Sequence, residues 1–76
     1  MEALYEILED IQPDVDFEKE EHLIDDHILS SLSILSLIAE LEDKFDITIP
    51  AVEIIPSNFN SAKAMWSMIQ RLQEEA

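Results

Sequence analysis

The sequence predicts an all-α protein, a small three-to-four-helix bundle with a long first loop. Three segments repeat apolar residues at the spacing of helix turns, and the chain contains no glycine and no cysteine. Only Ile47-Thr48-Ile49 alternates as a strand does, and one strand alone would leave its backbone groups unpaired. At 76 residues the chain has material for one core. We therefore expect a single domain over residues 1–76, and we expect residues 47–49 to form an extended connector.

The first element is a short helix over residues 2–11, because Pro13 ends the segment. Its apolar face consists of four residues at helical spacing: Leu4, Ile7, Leu8 and Ile11. Residues 12–30 then show no sustained period, which predicts a long loop. Five apolar side chains are spaced to attach this loop to the core: Val15, Phe17, Leu23, Ile24 and Ile28. Long ordered loops in compact domains are more often functional than incidental.

The second helix is predicted to begin near Ser31, with Ser30 as its N-cap, and to end near Asp46. One sector of its helical wheel forms a core face, made of Ile34, Leu37, Ile38, Leu41 and Phe45. A different sector holds a second strip, made of Leu32, Leu35, Ala39 and Glu42. A small domain needs only one buried face on a helix. The second strip therefore either packs under a loop or docks another protein.

The last helix is predicted to run for about 14 residues with Ser61 or Asn60 as its cap. Its apolar face includes Met65 and Trp66, which we assign to the core or its edge rather than to a cofactor contact. A short turn of helix is expected in residues 51–55. Since glycine is absent, tight turns must use Asn, Asp, Ser or Pro, and a glycine-rich phosphate loop is excluded.

The chain is strongly acidic, with a formal net charge of −14 from 18 acidic and 4 basic residues. Residues 1–30 hold eleven of the acidic residues and one basic residue, Lys19. This charge repels phosphate backbones and anionic lipid, so we expect no nucleic-acid binding and no membrane insertion. The start of the chain lacks the basic residues of a signal peptide, and no apolar stretch is long enough to span a bilayer. We expect a complete, cytoplasmic, monomeric protein.

Two histidines, His22 and His27, flank Asp25 and Asp26 in the predicted loop, and these residue types bind metals. Their spacing does not match a helical pair, so we predict no specific metal site and favour weak divalent-cation binding to the acidic loop. No histidine or acid lies at a spacing that would activate Ser31 as a nucleophile. The sequence therefore predicts no catalytic residues and no enzyme activity.

Several segments resemble the acyl and peptidyl carrier protein family over nearly the whole chain. They are Ser31-Leu32, the helix end Glu40-Leu41-Glu42-Asp43-Lys44-Phe45, the segment Asp46-Ile47-Thr48-Ile49-Pro50, the loop around Leu23-Ile24-Asp25-Asp26, and Ile55-Pro56-Ser57-Asn58-Phe59-Asn60-Ser61. In this family the serine of an Asp-Ser-Leu motif carries a phosphopantetheine arm. Gapless alignment on residues 41–50 places that serine at Ser31 and excludes Ser30 and Ser33.

The resemblance implies a helical bundle of the acyl carrier protein type and a covalent phosphopantetheine cofactor on Ser31. It implies a free-standing carrier that holds an acyl or aminoacyl group as a thioester. Its expected partners are a phosphopantetheinyl transferase and an acyl- or aminoacyl-activating ligase or synthase. We expect the partners to dock on the strip Leu32, Leu35, Ala39 and Glu42. Fatty acyl, polyketide, amino acid and D-alanyl cargoes all fit, and the low charge of this helix favours a cargo other than that of fatty-acid synthesis.

This sequence departs from the family pattern in two places. Ser30 stands where the family has aspartate, and His27 stands where a glycine is usual, or that glycine is absent. Ser30 is compatible with slow modification, with a dedicated transferase, or with a carrier that has lost its arm. The alternative function is therefore an unmodified carrier-like interaction domain.

Overall fold

The first helix, α1, spans Glu2–Ile11 in the computed structural model, which describes residues 2–75. Its predicted apolar face is confirmed, since Leu4, Ile7 and Leu8 are buried. Glu2 lies in the first turn, where a negative charge is favoured by the helix dipole. Pro13 cannot continue the helix, and the Gln12 N–H closes the last turn on the Leu8 carbonyl at 2.8 Å.

Residues 12–30 form the predicted loop, which is ordered by apolar anchors. Phe17, Leu23 and Leu29 are buried, and Val15, Ile24 and Ile28 pack against the core. Residues 23–27 turn tightly and end at His27, which has a left-handed backbone with φ of 57°. The Leu23 carbonyl then accepts hydrogen bonds from the Ile28 and Leu29 N–H groups at 2.9 and 3.0 Å. This turn brings the chain directly to the start of the next helix.

The second helix, α2, spans Ser31–Phe45, close to its predicted bounds. Ser30 caps it as predicted, because its side chain accepts the Ser33 N–H. At the other end Asp46 adopts the left-handed conformation that commonly terminates helices, with φ of 52° and ψ of 51°. The predicted core face is confirmed: Leu37 and Leu41 are buried, and the remaining members pack partly buried against the core, namely Ile34, Ile38 and Phe45.

Residues 47–50 form the predicted extended connector, which buries Ile47 and Ile49, and residues 2–75 contain no strand. A 3₁₀ turn follows at Ala51–Glu53, in the region where a short helical turn was expected. A four-residue helix, α3, then spans Pro56–Phe59. The sequence did not predict α3, because four residues are too few to show a helical period.

The last helix, α4, spans Ala62–Glu75, the predicted length. Ser61 caps it through its hydroxyl oxygen, which accepts the Ala64 N–H at 3.0 Å. Met65 is buried, while Trp66 lies at the edge of the core. The Trp66 and Phe45 rings pack edge to face, with 5.8 Å between their centroids. The helices α1 and α4 pack together, α2 packs on α1, and α3 packs on α4. Residues 2–75 thus form a small helical bundle of the expected type, with α2 presenting its N-terminus to solvent.

Candidate functional site

Three serines stand at the start of α2, and their hydroxyls have different surroundings. The Ser30 oxygen accepts the Ser33 N–H at 3.2 Å, and its hydroxyl donates to the Ser33 oxygen at 3.1 Å. Ser30 is therefore occupied in holding the helix terminus, and Ser33, which is half-buried, is its partner. A covalent attachment to either hydroxyl would disturb these hydrogen bonds at the start of α2.

Ser31 is the first residue of α2, and its side chain is exposed. Within residues 2–75 its hydroxyl makes no hydrogen bond to the protein. A group attached here would point into solvent without displacing a cap or a core side chain. A phosphate at this position would also lie close to the unpaired N–H groups and the positive end of the helix dipole. The surroundings of Ser31 therefore fit a phosphodiester-linked arm.

The first part of α2 carries no charged residue. From Ser31 to Ala39 the sequence has no acidic or basic side chain, and Glu40 is the first charged residue of the helix. The nearest upstream acids are Asp25 and Asp26, both exposed in the loop. In a chain of net charge −14, this is an electrically neutral segment.

The second strip of α2 is exposed over three of its four members. Leu32 and Leu35 are the exposed apolar members, at 77% and 64% of their full accessibility, and Ala39 is also exposed. These side chains do not pack under the loop. Glu42 differs from them, because it is half-buried and its carboxylate accepts the Ile49 N–H at 2.9 Å. Glu42 thus fastens the connector to α2 as well as bordering the strip.

An apolar cleft, which was not predicted from the sequence, lies beside α2. It has a volume of about 100 Å³, and it is lined by Ile24, Ile34, Ile54, Ile55, Pro56 and Phe59. Ile34 is one helical turn from Ser31. The pair Ile54-Ile55 before Pro56 was the available signal, since two adjacent large apolar residues outside any predicted helix need either burial or a partner.

An ion pair fixes the segment that forms one wall of this cleft. The Arg71 guanidinium of α4 donates two hydrogen bonds to the Glu53 carboxylate, at 2.6 and 2.8 Å. The Asn58 amide donates to the same carboxylate at 3.0 Å. Arg71, through these hydrogen bonds, holds the pKa of Glu53 below its ordinary value. Glu53 is therefore ionised at neutral pH, and its ion pair with Arg71 links the 3₁₀ turn to α4.

The two histidines do not form a metal centre in the described part of the chain. His22 Nδ1 lies 3.8 Å from an Asp25 carboxylate oxygen, and both side chains are well exposed. Residues 2–75 contain no group of three side chains able to hold a metal ion. The same residues contain no helix long and apolar enough to cross a membrane.

Comparison with models of known protein families finds no match. Curated proteins, in contrast, include clear relatives. A D-alanyl carrier protein of Streptococcus suis is 33% identical over 72 residues, covering 93% of this chain and 91% of the relative. A D-alanyl carrier protein of Lactococcus lactis subsp. lactis is 29% identical over 76 residues, covering 97% and 96%.

An aminoacyl carrier protein of Bradyrhizobium diazoefficiens shares more identity over a shorter region. It is 46% identical over 41 residues, which are 54% of this chain and 46% of that protein, so the match spans about half of either protein. The match to the Streptococcus suis protein, in contrast, covers nearly the full length of both chains. Together with the helical bundle, these relatives show that the chain belongs to the carrier protein family.

Proposed function

We propose that residues 1–76 act as a carrier domain that holds an aminoacyl group as a thioester on a phosphopantetheine arm at Ser31. The observation that carries this proposal is the exposed Ser31 hydroxyl at the first position of α2, which has no hydrogen-bond partner in residues 2–75. A phosphopantetheinyl transferase attaches the arm, and an aminoacyl-activating ligase loads it. The protein works in the cytoplasm and contributes no catalytic group of its own.

The arm supplies a terminal thiol, which the cysteine-free chain lacks, and the thiol holds the cargo in an activated form. The protein's own residues have other tasks. Ser30 fixes the start of α2 through the Ser33 N–H, so Ser31 is held at a defined point on the surface. Tethering the cargo there lets it visit several active sites at high effective concentration.

Two observations favour an aminoacyl cargo over a long fatty chain. The relatives described above are named for aminoacyl and D-alanyl cargoes. The apolar cleft beside Ile34 has a volume of about 100 Å³, whereas pockets that enclose drug-sized ligands measure about 300–1,000 Å³. A cleft of this size does not enclose a long acyl chain, which supports a small cargo.

The docking surface in this proposal is the strip Leu32, Leu35, Ala39 and Glu42. Exposed leucines on one helix face supply apolar contact area, and Leu32 and Leu35 are three residues apart, which places them side by side. Glu42 lies at the border of the strip, and one oxygen of its carboxylate already accepts the Ile49 N–H, so less of this side chain is open to a partner. Partners therefore contact mainly the two leucines and Ala39.

The proposal is tested by the mass of the intact protein after incubation with coenzyme A and a broad-specificity phosphopantetheinyl transferase. We expect the wild-type protein to gain one phosphopantetheine and Ser31→Ala to gain none. Ser36→Ala is the matched control, because Ser36 is another exposed serine of α2, and this variant should gain the arm. Modification of Ser31→Ala would contradict the assignment of the site.

The second candidate function is an unmodified carrier-like interaction domain, and Ser30 is the observation that favours it. Serine and aspartate both cap helices well, so Ser30→Asp keeps the helix start and adds the charge found in the family motif. If only Ser30→Asp gains the arm, this chain is an interaction domain that has lost its arm. If the wild-type protein is modified more slowly than Ser30→Asp, it is a carrier with a weakened recognition motif.

A further inference from the structure

Asn60, at the junction of α3 and α4, makes an unusual set of long-range hydrogen bonds. Its side-chain carbonyl accepts the Ile24 N–H at 3.0 Å and the Asp25 N–H at 3.1 Å. Its amide donates to the Asp25 carboxylate at 3.2 Å, and its backbone carbonyl accepts the Leu23 N–H at 2.9 Å. One residue thus binds three consecutive residues of a loop more than 30 positions earlier in the chain.

The segment that Asn60 holds leads directly to Ser31. Residues 23–27 form the turn that ends at the left-handed His27, and the chain reverses there onto the Leu23 carbonyl. Leu29, which follows this reversal, is buried, and only Ser30 separates it from Ser31. The position of the turn therefore sets the direction in which the chain enters α2.

No other residue shares this task in the described part of the chain. Across residues 2–75, hydrogen bonds from the loop to the second half of the molecule all end on Asn60. Buried Leu23 and Leu29 keep the loop near the core, but apolar contacts are not directional. Hydrogen bonds are directional, so Asn60 supplies the orientation that the leucines cannot.

We propose that Asn60 is a positioning residue for Ser31: it orients the loop turn 23–27 and thereby presents the serine hydroxyl to the modifying transferase. The inference rests on the proposed function, because it concerns the same serine. Asn60 does not contact the attached group. It acts through the loop, and its loss should reduce the rate of modification while the bundle remains folded.

The experiment measures kcat/KM of the transferase, with coenzyme A, for folded Asn60→Ala. We expect a decrease of about tenfold, equivalent to about 1.4 kcal/mol. Exchange of the Ile28 and Leu29 amide hydrogens should also be faster than in the wild-type protein, because the turn that protects them is loosened. A wild-type kcat/KM for Asn60→Ala would overturn the positioning role.

A paired substitution separates positioning from general destabilisation. Asn60→Asp alone still accepts the Ile24 and Asp25 N–H groups, but it places a second carboxylate against that of Asp25. We therefore expect this variant to have a lowered kcat/KM. In the double variant Asn60→Asp with Asp25→Asn, the amide at position 25 donates to the carboxylate at position 60, so the hydrogen bond is restored in the reverse direction. We expect this variant to recover most of the wild-type kcat/KM. Failure of this pair to recover when it is folded would overturn the inference.

Ile69→Val is the matched control for stability, since it trims a buried side chain of α4 and leaves every Asn60 hydrogen bond in place. It should be modified at the wild-type rate, and a decrease equal to that of Asn60→Ala would assign the effect to stability and overturn the inference. If the wild-type protein gains no arm at all, the proposed function fails and this role fails with it. Failure of the Asn60 role alone is distinguishable from failure of the proposed function, because in that case the wild-type protein still gains the arm.

Discussion

At the scale of single residues, the caps explain how a glycine-free chain makes its turns. Asp46 ends α2 in the left-handed conformation, where glycine is the usual residue. His27 adopts the left-handed conformation in the loop. The expectation from the sequence that tight turns use Asp, Asn, Ser or Pro is correct for Asp46. It is wrong for His27, although histidine, like asparagine and aspartate, adopts positive φ more often than most non-glycine residues.

Asp46 also places a negative charge at the C-terminus of α2, where the helix dipole disfavours it. We predict that Asp46→Asn raises the free energy of unfolding by about 0.5–1 kcal/mol, because asparagine tolerates the same backbone without the charge. Urea denaturation measures the change. Asp14→Asn, which removes a charge from the exposed loop, is the control. An equal gain in both variants would assign the effect to net charge and contradict this explanation.

Ser30 and Ser61 show what residue-level reasoning can predict. A serine before an apolar helical period is a local signal, and both serines cap the helices they were assigned to. Asn60 was considered only as an alternative cap for α4. Its bonds to Ile24 and Asp25 could not be predicted, since the periodicity of a sequence gives no information about which distant loop folds against a residue.

At the scale of elements, α2 is a helix with two apolar faces, of which one is covered. Leu37 is fully buried, while Leu35, two residues earlier, is 64% exposed. We predict that Leu37→Ala lowers the free energy of unfolding by about 2–5 kcal/mol, because it leaves a cavity in the core. Leu35→Ala, the same change on the exposed face, should remain within about 0.5 kcal/mol of the wild-type protein.

Urea denaturation of the two leucine variants, with matched helical content checked by circular dichroism, decides the prediction. A similar loss of stability in both would mean that the exposed strip is covered by the protein itself. That result would remove the strip as a docking surface for partners. Stable Leu35→Ala protein is also the reagent with which the docking of a ligase can be tested.

The elements that the sequence predicted well are those with a sustained period. The helices α1, α2 and α4 have 10, 15 and 14 residues, which is enough for an apolar face to repeat. The four-residue α3 has no such repeat and was missed, and with it the cleft formed by Ile34 and the Ile54-Ile55 pair. Clefts depend on how elements are placed in three dimensions, which a linear pattern does not specify.

At the scale of the whole molecule, charge repulsion opposes a small core. The chain carries a net charge of −14 over 76 residues. We predict that Tm rises by several degrees between about 0.01 M and 0.15 M salt, because screening shortens the range of the repulsion. For a domain of this size, a change of about 1 kcal/mol in the free energy of unfolding shifts Tm by about 4–8 °C. Thermal melts followed by circular dichroism measure the change, and an unchanged Tm would contradict the prediction.

The neutral start of α2 has a consequence for the order of events when a partner arrives. The acidic residues of α1 and the loop attract positively charged surfaces over about a Debye length, whereas Ser31–Ala39 exerts no such attraction. In the proposed function, encounter and recognition therefore belong to different parts of the protein: we expect charge to determine how often partners meet it, and the exposed leucines to determine how long they stay. A carrier must release each enzyme before it visits the next. If charge sets the association rate and the leucines set the lifetime of the complex, the association rate can change while the lifetime of the complex at the serine stays short.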